Sequence, residues 1–235
     1  RQQPVSAVEL LDRRSLRSVQ DKPGMPEWVK SLSNGACALL IESRAATASV
    51  LAEQIERIVA SIAEFPLEKR VDFSSDPAVY NQLWKIRKDT FPAVGAVRKT
   101  GTTVIIEDVT FPVEQLAIGV NRLIELFDKH HYDEAILFGH ALEGNLHFVF
   151  TQGFNNPEEV ARYQAFMDDV AQLVAVEFGG SLKAEHGTGR NMAPFVELEW
   201  GHDAYQLMWQ IKRLLDPQGI LNPDVILSDD PQIHL

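Results

Sequence analysis

The order of apolar runs between residues 102 and 184 constrains this chain more than any other feature. Short runs of four to seven residues at Thr102 to Asp108, Ala135 to His140, Asn145 to Thr151 and Ser181 to Ala184 alternate with amphipathic stretches at Pro112 to His130 and Pro157 to Phe178. Runs of that length suit strands, and stretches with apolar residues three and four apart suit helices. The order is therefore βαββαβ, the split arrangement of ferredoxin-like units. It predicts an α+β fold built on an antiparallel sheet with helices mainly on one face.

Residues 1 to 100 carry a shorter version of the same alternation. Val8, Leu11 and Leu16 give a helical period over Val5 to Val19, ended by Asp21-Lys22-Pro23-Gly24-Met25-Pro26. A buried strand is expected at Ala36 to Ile41, a helix over Ala45 to Glu64 and a short strand at Val71 to Phe73. A further helix opens at Asp76-Pro77 and closes at Phe91-Pro92-Ala93-Val94-Gly95. Residues 101 to 227 form the second half of a unit that shares one continuous sheet, with a last helix over Asp203 to Leu215 stopped by Asp216-Pro217-Gln218-Gly219. The first residue is Arg1, not Met, and the chain opens straight into a patterned segment, so it reads as part of a longer polypeptide.

Composition narrows the partners. With 235 residues, 45% of them hydrophobic, the chain can bury a sizeable core. Its formal charge of −11 offers no basic footprint for a phosphate backbone, so nucleic acid is not an expected partner. No apolar stretch approaches the roughly 20 residues that span a bilayer. The lone Cys37 can form neither an internal disulfide nor a thiolate cluster, which fits a reducing cytoplasm.

Chemistry concentrates in Gly139-His140-Ala141-Leu142-Glu143-Gly144-Asn145-Leu146-His147. A turn centred on Glu143-Gly144 sets His140 opposite His147, a separation from which two imidazoles reach one ion. Alternation puts Asn145, His147 and Val149 on the site face and Leu146, Phe148 and Phe150 in the core. A third ligand is offered by Lys183-Ala184-Glu185-His186-Gly187-Thr188-Gly189-Arg190, where Gly187 and Gly189 free the backbone to turn Glu185 and His186 toward one cavity. Two imidazoles and a carboxylate suit divalent zinc, manganese or iron. His186, beside that site, is assigned as general base.

These segments, with Leu83-Trp84-Lys85-Ile86-Arg87, Phe91-Pro92-Ala93-Val94-Gly95 and Asp216-Pro217-Gln218-Gly219-Ile220-Leu221-Asn222-Pro223, resemble the C-terminal domain of FAD-linked oxidases. That family is related to D-2-hydroxyglutarate dehydrogenase, D-lactate dehydrogenase and the glycolate oxidase flavin subunit. The resemblance implies that His140, His147 and Glu185 hold the metal, that His186 takes the hydroxyl proton, and that the α-hydrogen leaves as hydride to FAD. It further implies that Arg87 clamps the carboxylate of a small 2-hydroxy acid and that Asn145 orients the substrate or a metal-bound oxygen. The FAD-binding domain would then lie N-terminal to residue 1, and an unidentified electron acceptor would reoxidise the flavin.

Two departures stand out. A lysine common in relatives before Asp108-Val109-Thr110-Phe111-Pro112 is replaced by Ile106-Glu107, leaving Arg98 and Lys99 as candidates for the second carboxylate contact. The usual Asn-Pro-Gly-Lys ending here reads Asn222-Pro223-Asp224-Val225, with Asn222 expected toward the cofactor. Rival readings are a non-catalytic metal- or small-molecule-binding module and a metal-dependent hydrolase, which the same ligands would also serve.

Overall fold

The computed structural model describes residues 3–96 and 98–235. Among them, one antiparallel sheet of five strands has the order β2-β1-β4-β5-β3. The strands are β1 Ala7–Leu11, β2 Ala38–Glu42, β3 Thr102–Thr110, β4 Ile136–His140 and β5 Asn145–Gly153. The helices are α1 Arg13–Val19, α2 Trp28–Ser31, α3 Ala48–Ile62, α4 Pro77–Ala96, α5 Leu116–Lys129, α6 Pro157–Ala171, α7 Val196–Trp200 and α8 His202–Leu215. Among the described residues, no helix is long and apolar enough to cross a membrane.

The α+β architecture with an antiparallel sheet is as expected. Its larger core lies on one face, where Leu137, Leu146, Phe148 and Phe150 meet Leu123 and Phe127 of α5 and Tyr163, Phe166 and Val170 of α6. A smaller core covers part of the opposite face, where Leu11, Ile136, Phe138 and Val149 meet Leu16 of α1 and Ile86, Ala93 and Val94 of α4. Alternation along β5 feeds both cores.

Several boundaries differ from the sequence reading. The helix expected over Val5 to Val19 is β1 followed by α1, because Val8 and Leu11 satisfy either period. Asp12 ends the strand and starts the helix: its buried carboxylate accepts from Ser15 N at 2.7 Å and from Leu137 N at 3.2 Å. The run expected as a buried strand at Ala36 to Ile41 is the edge strand β2, with Leu39 half exposed and Cys37 exposed just before it. Val71 to Phe73 is not a strand.

Pro92 does not end α4, which continues to Ala96. Burial of Ala93 and Val94 against the sheet offsets the backbone bond that proline cannot make. The last strand of the βαββαβ order shrinks to one bridge, Thr110 with Ser181. Glu199 draws the chain away there, accepting from Ser181 Oγ at 2.7 Å and Leu182 N at 3.0 Å.

Candidate functional site

Two cross-strand rows on the α4 side of the sheet carry the site. One row runs Glu9, His140, Asn145, Thr110 across β1, β4, β5 and β3, and the next runs Leu11, Phe138, His147, Asp108. The register corrects the expected pairing: His140 stands opposite Asn145, and His147 opposite Phe138. The turn occupies Ala141 to Gly144, two residues longer than the tight turn assumed, so the pairing moves by two positions and the facing is preserved. His140 and His147 therefore meet diagonally, with ring centroids 5.3 Å apart.

Glycine makes this hairpin possible. A Cβ on Gly139 would fall 2.3 Å from Asn145 O and 2.7 Å from Leu146 Cα, both backbone atoms of the neighbouring strand. Gly144 has φ +76° and lies against Phe111 O, a place that no side chain could share.

Glu185 closes the group from the loop after Ser181. Its Oε1 lies 3.2 Å from His140 Nε2 and 2.9 Å from His147 Nε2. Gly187 at φ +72° lets this loop turn back, whereas Gly189, expected to do the same, has an extended backbone. Asp108 fixes the loop, because its Oδ2 accepts from Glu185 N at 2.6 Å and His186 N at 3.0 Å. His186 is thereby stacked on His147, with centroids 4.8 Å apart and planes at 13°.

These atoms suit a divalent ion. Ligand atoms of His140, His147 and Glu185 all lie within 4.8 Å of one another. Zinc bonds of about 2.0–2.1 Å at tetrahedral angles would separate ligand atoms by about 3.3 Å, close to the two contacts with Glu185. His140 Nδ1 lies 2.6 Å from Glu9 Oε1, so it donates there and turns the Nε2 lone pair to the site. Burial, aided by the neighbouring His186, pushes the His147 imidazole down to about 4, which keeps it neutral and able to ligate at neutral pH. Three of the buried atoms that lack a hydrogen bond lie here: Asp108 Oδ1, Asn145 Oδ1 and His147 Nδ1.

A second grouping, Asp108, His147 and His186, is equally compact. Lys183 Nζ stands 3.7 Å from Asp108 Oδ1, so an ion there would face an ammonium already in place. The first grouping is the better cation site. His147 forms its buried floor at 5% exposure, and Glu185 its open rim at 48%.

Arg87 also reaches the site. Its Nε donates to Glu9 Oε2 at 2.7 Å, and its guanidinium lies 4.4 Å from the Phe138 ring centroid. Lys99 is not brought to it. It is exposed in the turn before β3, its carbonyl accepting from Thr102 N, and from Thr102 to Asp108 the strand runs six residues, roughly 20 Å. The exposed neighbour Arg98 bonds back to Thr102 O. Asn222 lies in an exposed turn beyond α8 with φ +42°.

Sequence reasoning missed Glu9 and Asp108. Alternation along Thr102 to Thr110 could have found Asp108, since it shares a face with Val104 and Ile106. Glu9 was hidden by the helical reading of β1.

The family model described as FAD linked oxidases, C-terminal domain, matches residues 1–226. The glycolate oxidase subunit GlcD of Bacillus subtilis is 28% identical over 228 residues, covering 96% of this chain and 46% of that protein. The mitochondrial D-lactate dehydrogenase [cytochrome] of Arabidopsis thaliana is 31% identical over 224 residues, covering 95% of this chain and 37% of that protein. This chain thus spans less than half the length of these relatives. Among solved structures, 4-ethylphenol oxidase from Gulosibacter chungangensis in its isoeugenol complex shares the fold, with a TM-score of 0.58 at 15% identity over 95% of this chain and 48% of that one.

Proposed function

We propose, for a chain that belongs to the family of FAD linked oxidase C-terminal domains, that it forms the substrate- and metal-binding part of a flavin-dependent dehydrogenase of small D-2-hydroxy acids. The substrate is of the D-2-hydroxyglutarate or D-lactate type, and the product is the 2-keto acid. The observation that carries this reading is the meeting of His140 Nε2 and His147 Nε2 at one oxygen of Glu185, beside a free imidazole and an arginine.

Each side chain has a task. Arg87, held at Nε by Glu9, keeps the Nη end of its fork for the substrate carboxylate. Asn145 stands opposite His140 in the same row and has a buried amide oxygen without a hydrogen bond, which can accept from the substrate hydroxyl. His186 has Nδ1 turned toward Asp108 Oδ1 at 3.8 Å, which leaves Nε2 to take the hydroxyl proton. A divalent ion at His140, His147 and Glu185 would supply Lewis-acid polarisation of the hydroxyl, while FAD would accept the hydride from C2.

The flavin would be held by another part of a longer polypeptide and reoxidised by a separate electron acceptor, in keeping with the greater length of the relatives. The single cysteine fits a cytoplasmic site of action. The full-length polypeptide, titrated anaerobically with D-2-hydroxyglutarate, D-lactate and D-malate, should lose its visible flavin band with at least one of them. His186→Ala should abolish that bleaching while leaving the fold intact. No bleaching by any D-2-hydroxy acid, or full-rate reduction of the His186→Ala protein, would contradict the reading.

A further inference from the structure

Glu9 is nearly inaccessible, at 6% side-chain exposure, and both of its oxygens are used inside the site. Oε1 lies 2.6 Å from His140 Nδ1, and Oε2 lies 2.7 Å from Arg87 Nε. Burying a carboxylate is costly unless charge and hydrogen bonds compensate it, and Arg87 supplies both. The contact with His140 then does something more. It fixes the tautomer in which Nδ1 carries the proton and Nε2 presents a lone pair beside Glu185.

Arg87 is likewise held on two sides. Its Nε is bound by Glu9 and its plane rests on Phe138, a residue in the same row as His147. One carboxylate therefore orients a metal ligand and the group that meets the substrate carboxylate. These three residues come from β1, α4 and β4, so the arrangement depends on β1 lying beside β4 in the sheet.

We propose that Glu9 is a positioning residue that sets the ligand tautomer of His140 and the aim of Arg87 together, so that metal affinity and recognition of the substrate carboxylate depend on each other. This rests on the assignment of His140 and Arg87 made above. The coupling runs through two short hydrogen bonds to one carboxylate, so disturbing either end is felt at the other.

Glu9→Gln is the direct probe. An amide keeps the shape but offers one acceptor and one donor, so it cannot accept from both His140 Nδ1–H and Arg87 Nε–H. In the full-length polypeptide, freed of metal and titrated with Zn2+ against a chelator, this variant should bind zinc about 10- to 100-fold more weakly. In a His140→Ala background the same change should have no further effect, whereas a purely structural role would cost the same in both backgrounds. With Zn2+ saturating, its KM for D-lactate should rise by more than its kcat falls.

Arg87→Lys tests the coupling without touching Glu9 and without changing the charge beside the ion. It removes no metal ligand but loses the fixed guanidinium bond to Glu9, so it should weaken zinc binding severalfold, and it decides the matter if Glu9→Gln does not fold by thermal melting. Zinc affinity within twofold of wild type in Glu9→Gln, or in Arg87→Lys where only that variant folds, overturns the proposal, as does full additivity with His140→Ala. A KM for D-lactate that stays flat in Glu9→Gln overturns the Arg87 half. Failure of the underlying assignment looks different: wild type would then bind no zinc, or His147→Ala would keep it, and both claims would fall.

Discussion

Glu107 and Asp108 are neighbours in β3 and face opposite sides of the sheet, and their surroundings differ in kind. Glu107 lies on the side packed by α6, and both of its oxygens are tied, one to Lys183 and one to Asn191, which Tyr163 in turn holds. Asp108 uses one oxygen to pin the backbone of Glu185 and His186 and leaves the other buried without a hydrogen bond, 3.7 Å from Lys183 Nζ and 3.8 Å from His186 Nδ1. The same division runs along β5, where Leu146, Phe148 and Phe150 belong to the large core while Asn145 and His147 each keep an unpartnered buried atom on the other side. Among the strand residues, satisfied polarity and dense aromatic packing mark the large-core face, where Glu107 and Gln152 are both hydrogen-bonded through each end; the unpartnered Arg162 Nε and His234 ring on that side lie outside the sheet. Unsatisfied polarity marks the face that awaits ligands, since an orphan buried atom costs stability unless something arrives to meet it.

The sharpest way to break this comparison is to damage one face and read the other. Phe166 is fully buried against Phe127, Phe148 and Phe150, so Phe166→Ala should destabilise the protein by about 3–5 kcal/mol in denaturant unfolding. Its zinc affinity, measured where it remains folded, should stay near wild type; a large loss would show that the two faces are not separable.

Gly139→Ala acts on both faces at once, because its Cβ would press on the backbone of β5 that carries Asn145 and His147. It should cost about 1–3 kcal/mol, seen as a lower melting temperature, and should weaken zinc binding as well. His147→Leu should do the reverse of Phe166→Ala: zinc is lost, while metal-free stability changes by less than about 1 kcal/mol or rises, because a buried atom without a partner is removed. A strongly destabilised His147→Leu would mean that this histidine belongs to the structural side.

The smallest effect lies outside both faces. Asp216 caps the end of α8 through Lys212 Nζ and the N–H groups of Leu221 and Ile220, and these contacts hold its carboxyl down at about 2. Because the folded-state value is depressed, its contribution is complete above the ordinary value of 3.8 and is lost as pH falls through about 2. Asp216→Asn should flatten this part of the acid-unfolding profile while leaving metal binding unchanged.

Much of the site could be read from residue order alone, and the reason is geometric. Period-two alternation fixes facing even when register is off by two, so His140, Asn145 and His147 were placed on one side although the pairing was shifted. Glu185 and His186 were legible because Gly187 signals a turn at the end of a short apolar run. Glu9 was not, because a five-residue strand with Val8 and Leu11 three apart matches a helix equally well, and only pairing with β2 and β4 decides it. The facing of Asp108 was legible from alternation, but its task was not, because its partners are backbone N–H groups 77 and 78 residues away, which no local pattern encodes. Lys99 was drawn in to replace a missing cation, and strand length alone carries it out of reach.

The central claim is that three side chains from two neighbouring strands and one glycine-flanked loop share a single ion. Anomalous diffraction at the zinc edge, from crystals of the full-length polypeptide equilibrated with Zn2+, tests it most directly. The account predicts one peak within about 2.0–2.2 Å of His140 Nε2, His147 Nε2 and a Glu185 carboxylate oxygen. A peak lodged between Asp108 and His186, or one touching only a single member of the trio, would contradict it.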